Sequence, residues 1–472
     1  MSIYFSDTDC KAESIEAIAD ASRDYGGIEF GAPRSVLRPE SAGDLAVLIA
    51  AARREGFAVA ARGRGHSVRG QSLAPGGVVV DMRSLAKVEL CAGNALDVGA
   101  GADWASALSH VLPCGLWPPV LPNYLGLSIG GTVSVGGIGE ATFRHGFISG
   151  AAISLEAVTG CGEILICSAE QNPELFAALQ GGLGQFAMIT RARISLVPAP
   201  SRLRSFHLLY AEVEEFLEDF ERLARNDSEL RGLRGLAIPN RGDYLAFFLG
   251  PAGSSGWSPR GVPPHRFPHL FLMTATYGGD EPAAISGGFL SDLQYIPGAS
   301  RTEELSGEEI ALSPPVNRAP AHPWVDLLIP RRGAAPFLRD AMALLPMDDI
   351  GGPVLLYPIL PERTRASSCR LPEDDFVVLL SVSRAIDPTL DPRRRQQELS
   401  AALEQNRELY RRCRRIGGLS YPIGSLGLQP EDWRDHFGAQ WQRLQELKER
   451  YDPDRILAPG QHMFSNFSDA KH

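Results

Sequence analysis

The chain has 472 residues and a formal net charge of −10, with 44% hydrophobic and 22% charged residues. That balance is the one of a folded globular protein and excludes a disordered chain. The acidic net charge argues against a general nucleic-acid surface.

No apolar run reaches the ~18–20 residues that a membrane span needs. Met1–Asp9 has neither the basic nor the apolar stretch of a signal peptide. The seven cysteines, Cys10, Cys91, Cys114, Cys161, Cys167, Cys369 and Cys413, are scattered and form no C-x-x-C pair. This fits a reducing compartment, so a cytoplasmic location is expected, with no metal site.

In chain order, Ser41 and Asp44 form a capping-box pair, with Asp in place of the usual Glu or Gln. Leu45, Leu48, Ile49 and Ala52 follow at helical spacing, and Gly56 supplies the stop. Short strands are expected at 57–60, 77–81 and 96–102, and Asp103 can cap a helix beginning at Trp104. Val197-Pro198-Ala199-Pro200 reads as a boundary. Beyond it, 251–259 is a loop by composition. Asp391 to Arg415 reads as a helix whose basic ends are a solvated face rather than a polyanion site. Near the end, Trp433, Phe437, Trp441, Leu444 and Lys448 recur at i+4 and i+3, which predicts one amphipathic helix over 431–450 with an aromatic packing face. Pro453 and Pro459 then force an extended, turning path through 456–461.

Three glycine-rich segments carry the candidate chemistry. The first is Gly63-Arg64-Gly65-His66-Ser67, followed by Gly70-Gln71. Such a turn lets backbone approach a ligand and aim its N–H groups at an anion. It is not the dinucleotide fingerprint, because Val68 stands where the third glycine would be. The second is Leu125 to Gly139, whose glycines each cost about 1 kcal/mol in a helix, so no regular helix is expected there. The third, Leu179 to Thr190, is a glycine turn entering an apolar strand. Three such turns within this stretch suggest one large cofactor lying across them.

These residues resemble a known family. Gly63-Arg64-Gly65-His66-Ser67 with Gln71 and Ala74-Pro75-Gly76-Gly77 is similar to the flavin-attachment segment of cytokinin dehydrogenases. Those enzymes belong to the vanillyl-alcohol oxidase / p-cresol methylhydroxylase (PCMH) superfamily of FAD proteins. The likeness continues through Thr142-Phe143-Arg144-His145-Gly146, Gly181 to Phe186, His322-Pro323-Trp324, His436-Phe437-Gly438 and Tyr451-Asp452-Pro453. It closes at Ile456 to Gln461.

The resemblance implies an α+β fold. A PCMH-type FAD-binding domain would span 1–200. A substrate-binding domain with an antiparallel sheet flanked by helices would span 201–420, and a C-terminal segment, 421–472, would return to the FAD domain. It also implies FAD bound covalently, with a ring nitrogen of His66 on the flavin 8α carbon. Other FAD contacts would fall at Ala61, Gly63, Arg64, Gly65, Ser67, Gln71, Asn123, Ser128, Gly131, Ser134, Ile138, Ile189, Tyr421 and Gln461. Some relatives add a second bond through Cys; no Cys occurs between Gly115 and Gly160, where it is expected, so a single link is implied.

The chain departs from the family at one position. Cytokinin dehydrogenases carry an Asp base just before the second glycine segment, and here the residue is Asn123, which is no carboxylate base. Three routes stay open. Another base could serve, such as a nearby Tyr, a His or Asp326; the substrate could be an already acidic phenol or alcohol; or carbon dioxide could leave in an oxidative decarboxylation. The last would need a cation, for which Arg318, Arg331 and Arg332 are candidates. Asn123, Tyr421 and Asp326 are the candidate catalytic residues.

The expected function is an FAD-dependent oxidase that takes hydride from a small metabolite, in the manner of natural-product (secondary-metabolite) tailoring. The alternative is a cytokinin dehydrogenase cleaving isoprenoid adenine side chains. A flavin-binding protein without catalysis is a third reading that no residue favours. Dioxygen is the expected electron acceptor, nucleic acid and membrane are not expected partners, and a homodimer is left open.

Overall fold

The computed structural model describes residues 15–200, 203–241, 266–278, 321–345, 350, 352–364 and 367–464. The loop expected at 251–259 and Arg318 lie outside them.

Local signals set the first elements. Ser41 Oγ accepts from the Asp44 backbone N–H (3.3 Å), and Asp44 Oδ2 accepts from that of Ser41 (2.9 Å). The helix they cap runs Ala42–Glu55 and ends at Gly56, which is left-handed. It buries Leu45, Leu48, Ile49, Ala51 and Ala52. Strands β1 (Ser35–Leu37), β2 (Val59–Arg62) and β3 (Val78–Asp81) form a parallel sheet in the order β1-β3-β2. The apolar run Val78–Val80 of β3 is buried throughout, as a covered parallel strand requires, and Asp81 at its end is buried in ion pairs with Arg38 and Arg83.

An antiparallel sheet follows, ordered β4-β5-β9-β7-β8. Its strands are β4 (Val88–Cys91), β5 (Ala95–Gly99), β7 (Ala152–Thr159), β8 (Ile164–Ser168) and β9 (Ala187–Ser195). β6 (Leu116–Trp117) and β10 (Val197–Pro198) form a two-stranded ribbon. Asp103 Oδ1 accepts from the Ser106 backbone N–H (2.8 Å) and starts the helix Trp104–Val111.

The second glycine segment corrects an expectation. Ile129–Val135 is a helix despite Gly130 and Gly131. Packing overrides the propensity cost of about 2 kcal/mol for two glycines. A Cβ on Gly130 would lie 2.7 Å from that of Ala100, so only glycine allows this approach. Ile129, Thr132 and Val133 are buried, and Trp104 Nε1 donates to Thr132 Oγ1 (3.0 Å).

The third sheet is antiparallel throughout, ordered β11-β13-β12-β15-β16-β14-β17. Its strands are β11 (Leu203–Tyr210), β12 (Leu230–Pro239), β13 (His269–Gly278), β14 (Val325–Pro330), β15 (Val354–Ile359), β16 (Val377–Val382) and β17 (Leu419–Ser420). Helices Val213–Asn226, Arg331–Leu344 and Pro392–Arg415 pack on one face, where Val325, Leu327 and Ile329 point. Alternation sends Leu328, Tyr357 and Leu379 to the other face, with Tyr421 beside them. Along Pro392–Arg415, Glu404 and Glu408 pair with Arg407, Arg411 and Arg412, in keeping with a solvated face.

The single tail helix expected over 431–450 is two helices, Pro430–Phe437 and Trp441–Tyr451, separated by a one-turn 3-10 element at Gly438–Gln440. The aromatic stripe crosses the break: Trp433, Phe437, Trp441, Leu444 and Lys448 are all buried. The chain then pairs with β2, where Val59 donates to the Ile456 carbonyl (2.8 Å) and Ala458 donates to that of Val59 (3.0 Å). Among the described residues no helix is long and apolar enough to cross a membrane.

Candidate functional site

A cavity of about 390 Å³ lies between the glycine segments and the inner face of the large sheet. That is within the range of small-molecule and cofactor clefts. Every residue expected to touch the FAD lines it, as do the candidate catalytic residues. The first segment contributes Ala61, Gly63, Arg64, Gly65, His66, Ser67 and Gln71. The second contributes Asn123, Ser128, Gly131, Ser134 and Ile138; Ile189, Asp326, Tyr421 and Gln461 complete the set.

β2 carries the first segment to the cavity edge. Arg64 Nη2 pairs there with Asp103, the cap of the next helix. The His66 ring stacks on Tyr25, with centroids 4.0 Å apart and planes 12° from parallel. Tyr124 and Trp324 lie at 5.1 and 5.8 Å. Enclosed by these rings, the imidazole is held neutral: burial pushes His66 down to about 4, and nearby His322 adds to the effect.

The substrate side is built by strand register. Asp326 on β14 faces Ser381 on β16, which faces Leu355 on β15; in the next row Leu379 faces Tyr357. All five line the cavity. Asp326 is 1% exposed, and its Oδ2 has no hydrogen-bond partner. Burial pushes its carboxyl up to about 7, against a smaller opposing effect of Ser381.

Tyr421 has a different chemistry. Its hydroxyl oxygen accepts from the Gly137 backbone N–H (2.9 Å), and burial holds its phenol well above the ordinary tyrosine range. It stays protonated at neutral pH, so it can donate a hydrogen bond but does not serve as a base. Asn123 Nδ2 donates to the Tyr357 hydroxyl, tying the second glycine segment to the large sheet.

Arg331 and Arg332, considered for a carboxylate substrate, stand elsewhere. Arg331 pairs with Glu221 (2.8 Å), and Arg332 donates to the Glu373 carbonyl (3.3 Å). Neither lines the cavity, where Arg64 is the one Lys or Arg side chain among the described residues. No group of three or more His, Cys, Asp or Glu among those residues is placed to hold a metal ion.

Sequence reasoning missed Tyr25, Tyr357 and Ser381. The latter two stand at alternating, inward positions of adjacent strands, a signal visible once those strands are placed. Tyr25 lies in a segment without periodicity.

The FAD binding domain model matches residues 33–168, and the model described as "Cytokinin dehydrogenase 1, FAD and cytokinin binding" matches 286–464. Cytokinin dehydrogenase 5 of Oryza sativa subsp. japonica is 35% identical over 497 residues, which cover 95% of this chain and 90% of that protein. The chain belongs to the cytokinin dehydrogenase family. Cytokinin dehydrogenase 4 of the same organism is 33% identical, with 95% of this chain and 89% of that protein covered. The crystal structure of 6-hydroxy-D-nicotine oxidase from Arthrobacter nicotinovorans matches with a TM-score of 0.69 at 19% identity, over 95% of this chain and 96% of that one. At that identity the likeness shows a shared fold, that of the PCMH-type FAD enzymes. The family member described here is accordingly an FAD-dependent oxidoreductase with the α+β architecture expected from its sequence.

Proposed function

We propose that this enzyme carries FAD covalently on His66 and oxidises a small, largely apolar amine at the carbon next to nitrogen, with Asp326 as proton acceptor. The carrying observation is Asp326 itself: a buried carboxyl with an unpartnered oxygen, in the wall of the cavity that His66 also lines. Asn123, at the family's base position, is engaged with Tyr357.

The cavity fits the cofactor. Three glycine segments converge on it, and a Cβ on Gly63 would come within 1.9 Å of Ser128 Oγ, so side chains there would close the cleft. His66, Ser67, Gln71, Ser128, Ser134 and Gln461 would hold the group. When bound, FAD supplies a two-electron acceptor for hydride.

The protein residues supply the rest. Asp326 takes the amine proton as the substrate carbon gives up hydride, leaving an imine that water hydrolyses. A carboxylate titrating near the working pH is well matched to that exchange. Tyr421, always protonated, orients the substrate by donating a hydrogen bond. Leu355, Leu379 and Trp324 present apolar surface. An amine suits this wall better than a carboxylate, because a buried Asp attracts a cationic or N–H group, and Arg331 and Arg332 lie elsewhere. Neither of these two supplies the cation that a decarboxylation would need. Dioxygen is the acceptor we assign, and the free cysteines among the described residues suit a cytoplasmic enzyme.

Cytokinins are a second, narrower reading, favoured by family membership: they are N-substituted adenines with an oxidisable C–N bond. Anaerobic mixing with a panel of secondary amines that includes isopentenyl adenine tests both. Flavin bleaching by the panel, slowed in Asp326→Asn, supports the general reading; rapid bleaching by isopentenyl adenine alone supports the narrower one. Bleaching at equal rates in Asp326→Asn and the unsubstituted enzyme refutes the role of Asp326.

A further inference from the structure

A three-residue segment near the N-terminus grips the His66 loop on one side and the substrate-side chain on the other. Asp24 Oδ2 accepts from the Gly70 backbone N–H (2.6 Å) and from Ser67 Oγ (3.0 Å). The Tyr25 N–H donates to the Gly65 carbonyl (2.8 Å), and the Gly26 N–H to that of Ser67 (3.0 Å). His66 is thus bracketed by backbone bonds on both sides.

The same segment reaches the other way. The His322 N–H donates to the Gly26 carbonyl (2.8 Å), and its ring Nδ1–H to the Tyr25 carbonyl (3.1 Å). The His322 ring stacks on Tyr25 at 4.1 Å, with planes 15° apart. Tyr25 is therefore sandwiched between two imidazoles, His66 and His322, nearly parallel to both. His322 lies two residues before Trp324 and three before the start of β14, the strand that carries Asp326.

We propose that Asp24-Tyr25-Gly26 is a clamp that aims the His66 imidazole for flavin attachment, and that it closes only when His322 docks on Tyr25. Covalent attachment then reports that the substrate-side sheet has been assembled, so flavin is fixed in an enzyme whose active site is complete. This rests on the covalent reading of His66 given above.

The step served by the clamp forms one bond, between a His66 ring nitrogen and the flavin 8α carbon. The 8-methyl group and the imidazole each lose one hydrogen. The two electrons and two protons pass to dioxygen, which leaves as hydrogen peroxide. A neutral ring nitrogen is the nucleophile, and its rate depends on orientation, because the ring can rotate freely unless a stacked partner fixes it. Tyr25 and His322 are positioning residues; neither supplies the bond.

The test is the ratio of covalent to total flavin in the purified full-length enzyme. Total flavin is read from the native spectrum, and covalent flavin from colour retained after acid precipitation and from the mass of the peptide holding His66. Tyr25→Ala and His322→Ala are expected to keep total FAD near the unsubstituted level while the covalent share falls at least tenfold. Tyr25→Phe, which preserves the stack, is expected to keep the covalent share. Unchanged covalent shares in both alanine variants overturn the clamp. So does a parallel loss of covalent and total flavin, which is the mark of a merely structural role. If Tyr25→Ala does not fold, His322→Ala and Tyr25→Phe still decide the matter. Absence of covalent flavin in the unsubstituted enzyme overturns the covalent reading itself and is read separately, before any variant.

Discussion

Asp326 and Ser381 stand directly opposite each other on adjacent antiparallel strands, and both line the cavity. Ser381 opposes, but does not cancel, the effect of burial that lifts the Asp326 carboxyl to about 7. A general base of this kind contributes roughly a hundredfold to ten-thousandfold. Asp326→Asn should therefore slow flavin reduction by a productive amine about a hundredfold or more, with FAD still bound. Rapid-mixing absorbance under anaerobic conditions measures it.

The pH dependence follows from the same pair. The groups nearest the carboxyl are Ser381, Tyr421, which stays neutral, and the Gly424 backbone. Flavin reduction should rise with pH through about 7 and then level off, as Asp326 ionises. Ser381→Ala removes the one opposing influence and should move the midpoint upward. Asp326→Asn should flatten the profile.

Stability runs the other way. Burial lifts the Asp326 carboxyl above the ordinary aspartate value of about 3.9, so between about 4 and 7 the folded enzyme holds a proton that the unfolded chain has released. Its contribution to stability accordingly falls as pH rises across that window. Compared with the unsubstituted enzyme, Asp326→Asn should gain stability at pH 8 relative to pH 5. Urea unfolding at the two pH values tests the sign.

Lys448 and Asp452 form an ion pair at 2.7 Å with side chains 3% and 0% exposed. Asp452 also accepts from the Ile456 and Leu457 backbone N–H groups, which fixes the tail beside β2. Lys448→Met leaves that carboxylate buried without its cation, a change that typically costs about 3–5 kcal/mol. A urea midpoint lowered by that free energy divided by the slope, with the slope itself unchanged, is the expected result.

Much of this was legible where the interaction is local. Ser41, Gly56 and Asp103 act on residues within a few positions, so capping rules located their helices. The cavity lining was legible because glycine segments and specific motifs mark it. Register was not: Tyr357 and Ser381 acquire their place only when β15 and β16 pair. The helix at Ile129–Val135 is not legible in the sequence because Gly130 packs against Ala100, a contact that propensity does not contain. The break at Gly438 was missed because the aromatic stripe continues across it.

His66 is proposed to anchor the cofactor, and every role assigned in the cavity depends on it. Acid precipitation of the purified enzyme, followed by mass analysis of the peptide containing His66, tests it most directly. Flavin colour should stay with the precipitated protein, the added mass should lie on His66, and His66→Ala should bind FAD only reversibly. Colourless precipitate, with all flavin in the supernatant, would contradict it.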